Sequence, residues 1–262
     1  KDQKIIINEN VLVPKNISMN LLEGQEIIIA NNSILFVMGD LKVSGKSDNP
    51  VKIAGSKIDP GSIICLENNT EIKYADIQNL KSPNIKGFEL YAGFNIINSN
   101  VRISNLIITD FVGEDMLNLI NSKTFMKNVN FENSFSDALD IDTGTIEFEN
   151  ISCKNIGNDC IDISNTKLVG SRLTSNNVQD KTLSLGEKSS AIIKNLEINN
   201  SEIGLAVKDA SEALIDNVIF YNTKLPIAVF VKKKEYGAAS LIAKNLNLKN
   251  SKDLFLVDNE SN

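Results

Sequence analysis

Aspartates recur at two positions of a 22-residue spacing: Asp115, Asp137 and Asp159 at one, and Asp140 and Asp162, led by Asn118, three residues further along each time. Lys181 takes the next place in the first series, and Lys208 ends the segment that follows it. Carboxyl groups held close together can divide a proton, one serving as acid while the other stays available as base or nucleophile. They can also bind Ca²⁺ through oxygen. A neighbouring ammonium can neutralise them or, once deprotonated, take a proton from a substrate. The chain has no histidine, which removes the commonest general base, the usual transition-metal ligand and any Ser-His-Asp or Cys-His arrangement. Chemistry here must run on carboxylates, lysines, arginines or a bound cation.

A repeat positions these residues. Asp137-Ala-Leu-Asp-Ile-Asp142 returns as Asp159-Cys-Ile-Asp-Ile-Ser164, Lys181-Thr-Leu-Ser-Leu-Gly186 and Ile203-Gly-Leu-Ala-Val-Lys208, each after 22 residues. Asp115-Met-Leu-Asn-Leu-Ile120 precedes them at the same step, and Ile227-Ala-Val-Phe-Val-Lys232 follows after 24. The alternation predicts strands with Leu139, Ile141, Ile161, Ile163, Leu183, Leu185, Leu205 and Val207 on one face. Between them, Asn105, Asn128, Asn150, Asn195, Asn217 and Asn245 each precede an aliphatic residue, with Arg172 the one break. A second polar column runs through Asp110, Asn133, Asn155, Asn177, Asn200, Asn222 and Asn250. Asn tolerates the left-handed backbone of a sharp turn and can hydrogen-bond an identical amide one coil away.

The expectation is an all-β fold, a right-handed parallel β-helix of 22-residue coils. Equivalent side chains would stack about 4.8 Å apart. The L-x-x-L-x-L frame of a leucine-rich repeat and the three-and-four apolar spacing of a helical repeat are both missing. One domain spans 1–262, with irregular leading coils over 1–60 and regular coils over 94–254. A loop is extruded between Ile63 and Phe94 through Ser82-Pro83-Asn84, and another at Lys232-Lys-Lys-Glu-Tyr-Gly237. Cys153 shares an inward column with Phe131, Ile198 and Phe220, which predicts a buried structural thiol. Cys160 aligns with Ala138, Thr182 and Gly204, a place for small residues. Three cysteines are too few for a disulfide framework.

With 27 basic against 33 acidic residues and a net charge of −6, the chain is a poor match for a nucleic-acid backbone. No apolar run reaches the roughly 18 residues of a membrane span. The chain opens on Lys1 and an apolar strand pattern at Ile5, Ile6 and Ile7, so it is expected to be tethered to other domains of a longer protein.

Residues 114–209 resemble the pectin-lyase-like β-helix proteins, and within them the polygalacturonases. The motifs are Ser136-Asp137-Ala138-Leu139-Asp140, Asn158-Asp159-Cys160-Ile161, Asp180-Lys181-Thr182-Leu183-Ser184-Leu185-Gly186 and Ala206-Val207-Lys208. They stand for the family's N-T-D-G, D-D-C-I, G-H-G-I-S-I-G and R-I-K, with departures at Asn158, Lys181 and Ala206. The resemblance implies an extracytoplasmic, carbohydrate-active β-helix that takes a polysaccharide across these coils. Asp137, Asp159, Lys181 and Lys208 would be catalytic, and Asp140, Asp162, Asn158, Lys232 and Tyr236 would bind substrate. Ca²⁺ is a possible cofactor, at Asp115, Asp137 and Asp159. Hydrolase, lyase and epimerase chemistry all remain open. The alternatives are a non-catalytic structural or glycan-binding module of a larger surface protein, and an acidic face that is merely solvated.

Overall fold

The computed structural model describes residues 4–251 and 255–262; Lys1 and the last three residues of the 94–254 stretch lie outside them. Among the described residues there are 21 strands and no helix, and the strand pairings are parallel. The chain forms a β-solenoid of about 10 turns of about 23 residues. Each turn adds a strand to each of three faces. Sheet 1 starts with Lys4–Ile7, sheet 2 with Val11–Val13 and sheet 3 with Met19–Leu22. One strand, Asp137–Ile156, crosses from sheet 2 through sheet 3 to sheet 1.

The period places like residues over like. Phe94, Leu117, Leu139, Ile161, Leu183, Leu205 and Ile227 pair in register along sheet 2 and are all buried. Burial of each such side chain contributes roughly 1.5–3 kcal/mol, and repetition through every coil makes one continuous core. The leading coils share this frame, since Lys4–Ile7, Glu26–Ile29 and Val51–Gly55 pair in register on sheet 1.

Turn chemistry closes each coil. At the bend from sheet 3 to sheet 1, Asn105, Asn128, Asn150, Asn195, Asn217 and Asn245 all have φ between 52° and 67°. The Asn128 amide donates to Asn105 and the Asn150 amide to Asn128, both at 3.1 Å. At the Arg172 break, Asn195 donates instead to the Ser171 carbonyl. At the bend from sheet 1 to sheet 2, Asn133, Asn155, Asn177 and Asn200 each donate to the residue one coil earlier at 2.9–3.1 Å. The third bend uses buried hydroxyls, which the sequence reading missed: Ser122, Ser189 and Ser211 each accept a backbone N–H from the preceding coil.

Two expectations are corrected. Cys153 and Cys160 form a disulfide with Cα atoms 5.9 Å apart, so Cys153 is not a free thiol and Cys160 is not there only for its size. The chain bends from sheet 1 to sheet 2 between them, which turns both side chains into the same corner of the core. One coil later the same two positions hold Ser175 and Thr182, whose hydroxyls lie 2.8 Å apart.

The extruded loop folds back onto the outer face of sheet 2. There Leu90 packs with Ile34 and Ile64, with Ile85, Ile97 and Ile120 against them.

Candidate functional site

Below that loop, the outer face of sheet 2 carries the carboxylates in two columns. The first is Asp115, Asp137, Asp159 and Lys181. Asp115 pairs in register with Asp137, and Asp137 accepts the backbone N–H of Asp159 at 2.7 Å. The Asn158 amide also donates to Asp137, at 2.7 Å. Asp159 in turn accepts the backbone N–H of Lys181 at 2.9 Å and its ammonium at 3.3 Å, and the same ammonium bonds Asp180. The side chains of Asp159 and Lys181 are only 4% and 16% exposed. Asn158 and Lys181 thus supply the donors that answer this column.

The second column is Asn95, Asn118, Asp140 and Asp162, in register on consecutive coils. The strand alternation that turns Leu139 and Ile141 inward turns Asp140 and Asp142 outward. Its donors are few. Asn118 donates to Asp140 at 2.9 Å, and Asn95 donates to the Ala92 carbonyl. Oδ1 of Asn95, Asn118 and Asp162 are buried with no hydrogen-bond partner.

Electrostatics follow from this difference. Burial first, and then the charges of Asp142, Asp115, Asp162 and Asp137, push Asp140 up to about 9. Burial, Asp137 and Glu114 raise Asp115 to about 7. Burial takes Asp159 to about 7 although Lys181 pulls the other way. Asp142 is raised chiefly by burial. Glu187 is lowered: burial opposes the shift, but Lys233 and Ser164 outweigh it.

The structure therefore brings together Asp115, Asp137, Asn158, Asp159 and Lys181, and beside them Asp140 and Asp162. Lys208 is buried at the C-terminal end of the second column, with its ammonium 2.8 Å from the hydroxyl of Ser184, the residue in register after Asp162. Lys232 and Tyr236 belong to the loop at the sheet 2–sheet 3 corner. Asp209 accepts the Lys232 N–H there, and the Lys188 ammonium sits 5.8 Å from the Tyr236 ring centre. Asn118, Asp142 and Glu187 escaped the sequence reading as site residues. The Asp-Ile-Asp alternation at 140–142 was the available signal for Asp142. Among the described residues, no group of three or more His, Cys, Asp or Glu is arranged to hold a metal ion. In the first column, one oxygen of Asp137 and one of Asp159 each accept two N–H donors.

No protein-family model and no curated protein sequence matches the chain. Solved structures do match in fold. Tailspike protein 2 of Escherichia coli O157:H7 bacteriophage CAB120 aligns at TM-score 0.55 and 11% identity, over 89% of this chain and 38% of that one. The catalytic domain of a GH87 α-1,3-glucanase, in complex with tetrasaccharides, aligns at 0.54 and 11% identity, over 94% and 63%. An alginate lyase from Paenibacillus sp. str. FPU-7 aligns at 0.41 and 15% identity, over 90% and 93%. The architecture these structures share with the chain is a parallel β-solenoid.

Proposed function

We propose that this chain is a carbohydrate-active β-helix that cleaves or modifies a polysaccharide on the outer face of sheet 2, outside the cytoplasm. The observation that carries this reading is Asp140, half-buried and in register between Asn118 and Asp162, with its proton held to about pH 9. A carboxyl group that keeps its proton at neutral pH is suited to act as general acid toward a glycosidic oxygen. Asp162, one coil on at about 4.8 Å of strand spacing, supplies the second carboxyl group of a glycosidase-type pair. Asp137, Asn158, Asp159 and Lys181 hold one another and fix the wall beside that pair. Lys208 and the loop of Lys232 and Tyr236 would meet the glycan at the C-terminal end of the face. The glucanase whose fold this chain shares binds tetrasaccharides, and the Cys153–Cys160 disulfide suits an oxidising, extracytoplasmic compartment.

The test is a panel of plant, algal and bacterial polysaccharides assayed for released reducing or unsaturated ends, with wild type, Asp140→Asn and Asp162→Asn. Turnover by wild type and its loss in both variants is expected. Binding without turnover in any form would leave a non-catalytic glycan-binding module, and no binding at all would end the carbohydrate reading.

A further inference from the structure

The acceptors of the second column lack donors, and the missing donors identify a ligand. Asn118 is 3% exposed and Asn95 fully buried. Asn118 donates into the carboxylate cluster at Asp140 and also lies against Asp115 and Asp142. The outward oxygens of Asn95, Asn118 and Asp162 nevertheless find no N–H or O–H. Unpaired buried oxygens are destabilising, and here three lie on one line of coils bordered by Asp115, Asp137, Asp140 and Asp142.

The cationic side chains nearby do not supply those donors. Lys181 is engaged by Asp159 and Asp180, and Lys208 by Ser184. The chain has two arginines, Arg102 and Arg172; Arg102 lies on sheet 3 and Arg172 at the bend after it. The groove therefore has no guanidinium, the usual partner of a carboxylate ligand. A polyuronate would meet a surface of its own sign.

An apolar rim runs beside the first column, at the bend from sheet 1 to sheet 2. Tyr91, Val112 and Phe135 are 48%, 61% and 79% exposed. The Tyr91 carbonyl accepts the Asp115 N–H, which places the rim next to the carboxylates. On the following coil the position beside Phe135 is Gly157, where a Cβ would meet the Phe135 carbonyl oxygen at 1.9 Å. No side chain from that position can lie over the ring.

Resting on the carbohydrate reading above, we propose that the groove takes an amine-bearing polysaccharide, a polymer of unacetylated amino sugars. Its ammonium groups answer the Asp140–Asp162 column, and its pyranose faces lie on the Phe135 rim. An ammonium brings three donors and a positive charge to the unpaired oxygens of Asn118 and Asp162, beside an Asp140 that keeps its own proton. Unlike a metal ion, it does not require several carboxylates to converge on one point.

Titration calorimetry with glucosamine, N-acetylglucosamine and galacturonate tetramers tests this. The glucosamine tetramer should bind at least about tenfold more tightly than its acetylated form, and less tightly as NaCl is raised. Binding should be lost in the Asp140→Asn/Asp162→Asn double variant and weakened several-fold in Phe135→Ala. Unchanged melting or stabilisation would show that both variants fold. Equal binding of the acetylated tetramer, or equal or tighter binding of galacturonate with or without Ca²⁺, would overturn the amine assignment and leave the carbohydrate reading intact. Failure of every glycan to bind would instead remove that reading itself.

Discussion

Two adjacent columns of carboxylates on one sheet meet opposite treatment. In the first, Asp137 and Asp159 each accept a backbone N–H from the next coil, and Asn158 and Lys181 supply further donors. In the second, Asp140 has one amide donor, and Asp162 keeps a buried oxygen without any. Position along the coil makes the difference. The first column sits where the chain bends into sheet 2, so N–H groups there are free of the strand ladder and point at side chains. The second sits mid-strand, where backbone donors are already committed to neighbouring strands. A satisfied cluster is wall, whereas an unsatisfied one retains capacity for a ligand.

The two columns should differ most in turnover. Asp140→Asn should lower the rate on the glycan substrate by about 10²–10⁴-fold, measured as released ends. A small loss there, beside a large one in Asp159→Asn, would reverse the roles of the two columns.

They should differ next in stability. The Cys153–Cys160 bridge closes a seven-residue separation that contains Asn158 and Asp159, and Cys153→Ala/Cys160→Ala should cost about 2–3 kcal/mol, read as a lowered melting temperature. Asp159→Ala removes the acceptor for the Lys181 N–H and ammonium, and should cost about 1–3 kcal/mol. Asp140→Asn should do the opposite and stabilise by about 0.5–2 kcal/mol, the usual result of relieving strain kept for function.

Stability also depends on pH. Asp140, raised to about 9, and Asp115 and Asp159, raised to about 7, titrate near 3.9 when unfolded. Between those limits the folded chain binds more protons, so stability falls as pH rises. It is fullest near pH 4 and declines through about 7 and then 9. Melting temperature should drop from pH 5 to pH 9 in wild type, and less steeply in Asp140→Asn. An unchanged slope would mean that the second column is not the source.

Local chemistry along the chain specifies the coil. A 22-residue step, inward Leu139 and Ile161, and asparagines at Asn128, Asn150 and Asn155 specify strands and bends through local chemistry, and stacking repeats the same conflict-free choice at each turn. That logic also placed Asp137 over Asp159 and Asp140 over Asp162. Only the tertiary structure decided which of these carboxylates found partners, because donors such as the Lys181 N–H come from one coil away and depend on where each bend falls. It alone joined Cys153 to Cys160, since their meeting needs a corner whose shape strand periodicity does not encode. The folded chain also set Phe135 in the open beside a glycine of the next coil and left the oxygens of Asn95, Asn118 and Asp162 unpaired. Burial of an outward-facing column depends on what neighbouring columns and a folded-back loop lay beside it.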